Sequence, residues 1–168
     1  MCIVIDANTF SSLFKTNSSD HNDFHPVLEW ICKGNGKIVY GGSKYNEELR
    51  STKKYNKLFR LFDAQRKVVK INDQEVDNEQ ARLENLIDHR DFDDPHIIAI
   101  IIVSRCKIVC SKDASAYPFI KDKALYSRGF ERPRIYSRSS NADLLCDKLI
   151  ADCCKPTSKT KELNMLLS

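Results

Sequence analysis

The run Cys2-Ile3-Val4-Ile5, closed by Asp6, constrains this chain more than any other stretch. An apolar run rich in β-branched residues, with no polar alternation, reads as a strand buried in the middle of a sheet. A carboxylate where such a strand stops lies at the carboxyl edge of the sheet, where open α/β folds hold their ligands. Asn8 follows two positions later.

Four further short runs read as strands: Lys37–Tyr40, Lys67–Ile71, Lys107–Cys110 and Arg134–Tyr136. Helical patterns fill the intervals. They cover Thr9–Lys15, His25–Cys32 with Pro26 in the first turn, and Ser43, as N-cap, to about Arg66. Gln74–His89 follows, capped by Asn72 or Asp73. The segment from His96 to Arg105 is apolar on every side, the mark of a buried helix. Residues 114–120 form a turn or short helix, and a last helix starts at Ser140 with Ala142, Leu145, Cys146, Leu149 and Ile150 facing inward. Alternating strands and helices predict an α/β protein, a three-layer α/β/α sandwich around a mostly parallel sheet of about five strands. Residues 1–154 form the domain and 155–168 a flexible Lys/Thr/Ser-rich tail.

The 168 residues suit one domain, and the net charge of +4 permits an anionic partner without requiring one. Seven cysteines are present, without a CxxC pair or a zinc-like Cys/His spacing. Most sit inside apolar patterns, and Cys153-Cys154 reads as an inert pair at the end of the last helix. Free thiols in a reducing cytoplasm are expected. The run before Asp6 is too short for a secretory signal, and no run is long enough to span a membrane.

Four acids fall at telling places. Asp6 ends the first strand, and Asp113 follows the fourth after Ser111-Lys112. Asp94 precedes the helix that Pro95 opens, and Glu48 lies early in the helix after the second strand. In a parallel sheet the strand ends and the following helix starts share one edge, so all four can meet. At 100° per residue Glu48 falls within the stripe of Tyr45, Leu49, Tyr55, Phe59 and Phe62, whereas Glu47 points away. Asp94 shares a face with Ile98 and Ile101; Asp93 remains the alternative. Carboxylates cannot crowd into a half-buried cleft without a counter-charge. A hard cation held by oxygens, Mg²⁺ or Mn²⁺, supplies one, and such ions serve phosphate chemistry.

In order and spacing, Ile3-Val4-Ile5-Asp6-Ala7-Asn8, Glu48-Leu49-Arg50, Asp94-Pro95-His96-Ile97-Ile98-Ala99 and Ser111-Lys112-Asp113 resemble the motifs of the PIN domain family, metal-dependent nucleases that include the VapC-type toxins. The resemblance spans about residues 1–152. It implies that Asp6, Glu48, Asp94 and Asp113 are metal ligands, with Asn8 and Ser111 orienting them. It implies hydrolysis of RNA phosphodiesters by a metal-activated water, RNA being favoured over DNA, with a toxin or defence role. An inhibitor or antitoxin protein and a homodimer are compatible partners. Lys44, Arg50, Lys53, Lys54, Arg128, Arg132 and Arg138 are candidate phosphate contacts, and Tyr117 and Phe119 are candidates for stacking on bases or for the core. The long loop from Thr16 to Asp23 and the long helix after Ser43 depart from a minimal toxin. Rival readings are a phosphatase with an Asp nucleophile, disfavoured by Asn8 where a second acid belongs, a receiver-like module, and a non-catalytic PIN-like module that binds RNA or protein.

Overall fold

Strand β1 (Cys2–Ile5) is buried along its whole length and pairs in parallel with β2 (Lys37–Tyr40) on one side and β4 (Ile108–Cys110) on the other. Strand β3 (Val68–Lys70) adds beside β2, and β5 (Arg134–Tyr136) beside β4. The result is a five-stranded, all-parallel sheet in the order β3-β2-β1-β4-β5. The computed structural model describes residues 1–155; the tail expected over 155–168 lies, from residue 156 onward, outside the described residues.

The chain moves outward from β1 through β2 to β3, then returns across the sheet to β4 and β5. The direction of succession therefore reverses between β1 and β4. At such a reversal the connections leave toward opposite faces and open a crevice beyond the strand ends. Asp6 and Ser111-Lys112-Asp113 occupy the two lips of that crevice.

Helices α1 (Phe10–Phe14) and α2 (His21–Cys32) connect β1 to β2, and α3 (Ser43–Ser51) and α4 (Lys53–Ala64) connect β2 to β3. Helices α5 (Asp73–Leu86) and α6 (Pro95–Ser104) make the return, and α7 (Tyr117–Lys121) leads to β5. Right-handed crossovers put the outward and the return connections on opposite faces, the α/β/α sandwich predicted. Rings of α1 and α4 interlock, Phe10 with Phe59 and Phe14 with Phe62. Helix α3 touches α4 but also α5 and α6, so it reaches elements of both layers.

Four expectations need correction. The helix expected over 43–66 is two helices, broken where Thr52 is extended (φ −124°, ψ 107°). Ser43 is not the N-cap of α3; Gly42 holds that place, and the first amides are satisfied from α5 instead. The Asp73 carboxylate accepts from the Gly42 N–H at 2.9 Å, and that of Asp77 from the Ser43 N–H at 2.7 Å. The last helix does not form. Its residues make short 3₁₀ turns at Ser139–Leu144, Asp147–Leu149 and Asp152–Cys154, and Ala142 is exposed. The path is extended between these turns, at Cys146 and Ala151, which carries the chain along the domain rather than coiling it. Helix α2 also starts earlier than expected, at His21, and keeps Pro26 inside it.

Gly42 sets the direction of α3. Its φ of 87° is closed to most side chains, and an added Cβ would lie 2.6 Å from Val76 Cγ1. We expect Gly42→Ala to cost roughly 2–4 kcal/mol, strain and overpacking together. Urea unfolding will show this as a lower midpoint at unchanged slope.

Candidate metal centre

Asp6 is positioned by the sheet itself. Its N–H donates to the Cys110 carbonyl at 2.9 Å, continuing the β1–β4 ladder one residue past the strand. The carboxylate is only 4% exposed. One oxygen accepts from the Asn8 N–H at 3.1 Å and the other from the Ser111 hydroxyl at 2.8 Å. Burial pushes this carboxyl up to about 6; the two hydrogen bonds oppose the rise, and the nearby Asp94 charge adds to it.

Ser111 joins two acids. While its hydroxyl donates to Asp6, its oxygen accepts from the Asp113 N–H at 3.1 Å. Asp113 turns one carboxylate oxygen to the Ser115 N–H and hydroxyl, at 2.9 and 2.6 Å. Asn8 differs from its expected part. It reaches Asp6 through its main-chain N–H, and its exposed side chain accepts from Thr9 Oγ1 instead.

Glu48 and Asp94 come from the two layers. Helix α3 is anchored at its start by α5 and, one turn on, by Tyr45. Tyr45 is fully buried, and its hydroxyl donates to the Ile5 carbonyl at 2.7 Å. Glu48 follows Tyr45 by three residues, so it shares its side of the helix. Glu48 is half-buried and Glu47 exposed, as the 100° periodicity requires. Asp94 precedes α6, whose Ile97, Ile98, Ala99, Ile100 and Ile101 are all buried. At roughly 1.5–3 kcal/mol for each large apolar side chain buried, that helix is a rigid base for whatever stands at its start. Burial raises the Asp94 carboxyl above its usual range; His96 opposes the rise, and the charges of Asp93, Glu48 and Asp113 add to it.

These acids gather around Asp94 in two groups, and Asp6 stands in neither. Ligand atoms of Glu48, Asp94 and His96 lie within 4.8 Å of one another, and so do those of Asp93, Asp94 and Asp113. Asp94 belongs to both groups. Asp6 and Asp94 line one narrow cleft together with Ile97, Ile98, Phe119 and Ile120. Asp93 is exposed and Asp94 is not, which favours Asp94 as the inward-facing acid of the pair.

His96 was not foreseen. In sequence it is the first residue of an apolar helix and looks like core. It is 2% exposed, with Nε2 3.2 Å from Glu48 Oε2 and Nδ1 3.8 Å from Asp94 Oδ1. The available signal was a polar ring directly after an acid-Pro helix start.

No Lys or Arg among the described residues pairs with Asp6, Glu48, Asp94 or Asp113. Lys112 sits between Ser111 and Asp113 in sequence, yet it turns away to the Ser12 hydroxyl and Asp20, at 3.0 and 3.4 Å. Carboxylates gathered in this way are an oxygen-donor set. They fit Mg²⁺ or Mn²⁺, and the single imidazole favours Mn²⁺.

Lys44, Arg50, Lys53 and Lys54 are exposed on α3 and α4, the connection that carries Glu48. Arg128 and Arg132 need correction as partners of this site. They precede the amino end of β5, beside Glu131, which pairs with Lys107 at the amino end of β4. That is the opposite edge of the sheet from the acids. Arg132 is also engaged with the Lys121 carbonyl at 2.7 Å. Arg138, exposed, follows β5 on the acid-bearing edge. The Tyr117 hydroxyl donates to the Ser111 carbonyl at 2.8 Å, and Phe119 packs on Phe92 at the cleft, with ring centroids 5.0 Å apart.

Comparison with protein-family models, with curated proteins and with solved structures finds no match for this chain. The resemblance to PIN nucleases rests on the four sequence motifs alone. No helix of the described residues is long and apolar enough to cross a membrane.

Proposed function

We propose that the chain is a PIN-type nuclease that hydrolyses RNA phosphodiesters with Mn²⁺ or Mg²⁺. One observation carries this reading: carboxylates from four distant segments gather at one crevice, at the reversal of the sheet, and no Lys or Arg of the described residues pairs with them. Asp94, Glu48, Asp6 and Asp113 would hold the ion. When bound, such an ion lowers the pKa of water and offsets negative charge on the phosphate.

The chain's own groups do the rest. Ser111 and the Asn8 amide fix both oxygens of Asp6, so its free lone pairs point in a set direction. His96 holds the Glu48 carboxylate toward Asp94. The apolar wall of Ile97, Ile98 and Phe119 limits water on one side of the cleft. Exposed Lys44, Arg50 and Lys54 offer phosphate contacts along the approach, with strong salt dependence.

The test is cleavage of end-labelled single-stranded RNA with Mn²⁺, with EDTA, and by Asp6→Asn. Cleavage only by the wild type with metal supports the proposal. Cleavage that survives both treatments rejects it. A second reading, a non-catalytic RNA- or protein-binding module, draws on His96. An imidazolium between Glu48 and Asp94 would supply a counter-charge without any metal. RNA binding with no cleavage in either metal would establish that reading instead.

His96→Asn separates the two further. If His96 positions a ligand, the variant should bind Mn²⁺ roughly 10–100-fold more weakly. Isothermal titration at fixed pH measures this.

A further inference from the structure

A second cluster of metal-binding type lies at the other edge of the sheet. Cys2 begins β1, and Cys106 stands two residues before β4, so both thiols are at the amino edge. The last 3₁₀ turn brings Cys153 and Cys154 to the same place. The sulfurs of Cys2, Cys153 and Cys154 lie within 4.8 Å of one another, with Cys153 and Cys154 3.7 Å apart. Cys106 adjoins Cys2 as a fourth thiol at this edge, outside the group of three that all lie within 4.8 Å of one another, and its thiol donates to the Ile108 carbonyl at 3.4 Å. Cys2, Cys106 and Cys154 are buried.

From these positions we infer that Cys2, Cys106, Cys153 and Cys154 form a tetrathiolate site for a single zinc-class ion, which staples the carboxyl-terminal segment to the amino edge of the sheet. A tetrahedral site with Zn–S near 2.3 Å sets its sulfurs about 3.8 Å apart, the spacing already present between Cys153 and Cys154. It is too wide for a disulfide, whose sulfurs are about 2.05 Å apart. Three sulfurs within 4.8 Å of one another are too close for an iron–sulfur cluster, which spreads its thiolates over several irons. Soft thiolates select zinc over the hard cations that suit carboxylates.

Two features fit this role. Four thiolates around a divalent ion leave a net negative charge, and Arg105 lines the adjoining cavity beside the ion pairs Lys107–Glu131 and Lys155–Asp152. Among the described residues, the segment that is held has neither α-helix nor strand after β5, only short 3₁₀ turns, so its own hydrogen bonding fixes it weakly. An ion at its end would close long loops and fix its path. The sequence hid the site because the ligands stand at 2, 106, 153 and 154, with none of the CxxC spacing by which zinc sites are read.

The test uses the full chain purified under reducing conditions, with zinc counted per chain by mass spectrometry and then replaced by Co²⁺. We expect one equivalent of zinc, and with Co²⁺ the thiolate charge-transfer band and strong visible bands of tetrahedral cobalt. The double variant Cys153→Ser/Cys154→Ser should lose both signals. Cys32→Ser, and the carboxylate double variant Asp6→Asn/Asp94→Asn, should keep them, which separates this site from the acids. If the Cys153/Cys154 variant fails to fold, stripping the wild type with a strong chelator and retitrating with Co²⁺ decides the same point. Free thiols with no cobalt–thiolate band, a disulfide among these cysteines, or a band that survives the double substitution would overturn the assignment.

Discussion

Replacing Asp94 by Asn will lower Mn²⁺-dependent RNA cleavage by roughly a thousandfold, the scale seen when a preorganised charge-stabilising group is lost. Asp94 is the acid common to both convergent groups, with Glu48 and His96 on one side and Asp93 and Asp113 on the other. Removing its charge therefore breaks both, whereas Asp113→Asn breaks only one. Asp93 is exposed, and Asp93→Asn should change the rate by no more than about threefold, as for a surface charge. Single-turnover cleavage at saturating Mn²⁺, with Kd measured separately, checks the ranking. Equal losses for Asp93→Asn and Asp94→Asn would reassign the third acid.

The second large effect concerns stability and has the opposite sign from what loss of a hydrogen-bonded buried carboxylate suggests. Asp6→Asn should stabilise the metal-free protein at pH 7 by roughly 2–3 kcal/mol. Burial raises the Asp6 carboxyl from 3.8 to about 6. Between those values the folded chain holds a proton that the unfolded chain has released. Stability then falls as pH rises through this window. The cost is absent below the unfolded value and complete above the folded one. The carboxyls of Asp20 and Asp73 are held low and titrate below this window, whereas Asp94 is also raised by burial and is common to both proteins, so the difference between wild type and variant reads Asp6. At roughly 2–4 °C per kcal/mol for a domain of this size, the variant should melt some 5–10 °C higher at pH 7 in EDTA. At pH 4 the difference should vanish. Added Mn²⁺ should reverse the order, because only the wild type gains the ion. A variant that melts lower at pH 7 in EDTA would show that Asp6 is structural.

The sheet was legible because each strand is a short apolar run that must be buried, and the polar ends of Ile5-Asp6 and Cys110-Ser111 mark where it stops. Glu48 was legible from periodicity alone, since three residues from Tyr45 puts it on the inward side. Thr52 broke a helix whose apolar stripe continues through it, and nothing local announces the break. The last segment misled for a related reason. Ser140 and Asp143 look like a helix start, but the segment runs extended between short turns toward the far edge of the sheet, a demand that propensity does not register. Arg128 and Arg132 were misplaced because charge in a sequence carries no side of the sheet. His96 was hidden because a helix apolar all round makes its one polar ring look like a packed exception.

The Tyr45 hydroxyl on the Ile5 carbonyl has a mechanical consequence. It bolts the helix that carries Glu48 to the last residue before Asp6, through a group with no rotamer left to relax. The span between those two acids is thereby a fixed gauge, set by the core before any ligand arrives. On the proposed metal-binding reading, an ion that does not match this spacing could be held only by deforming packed interior.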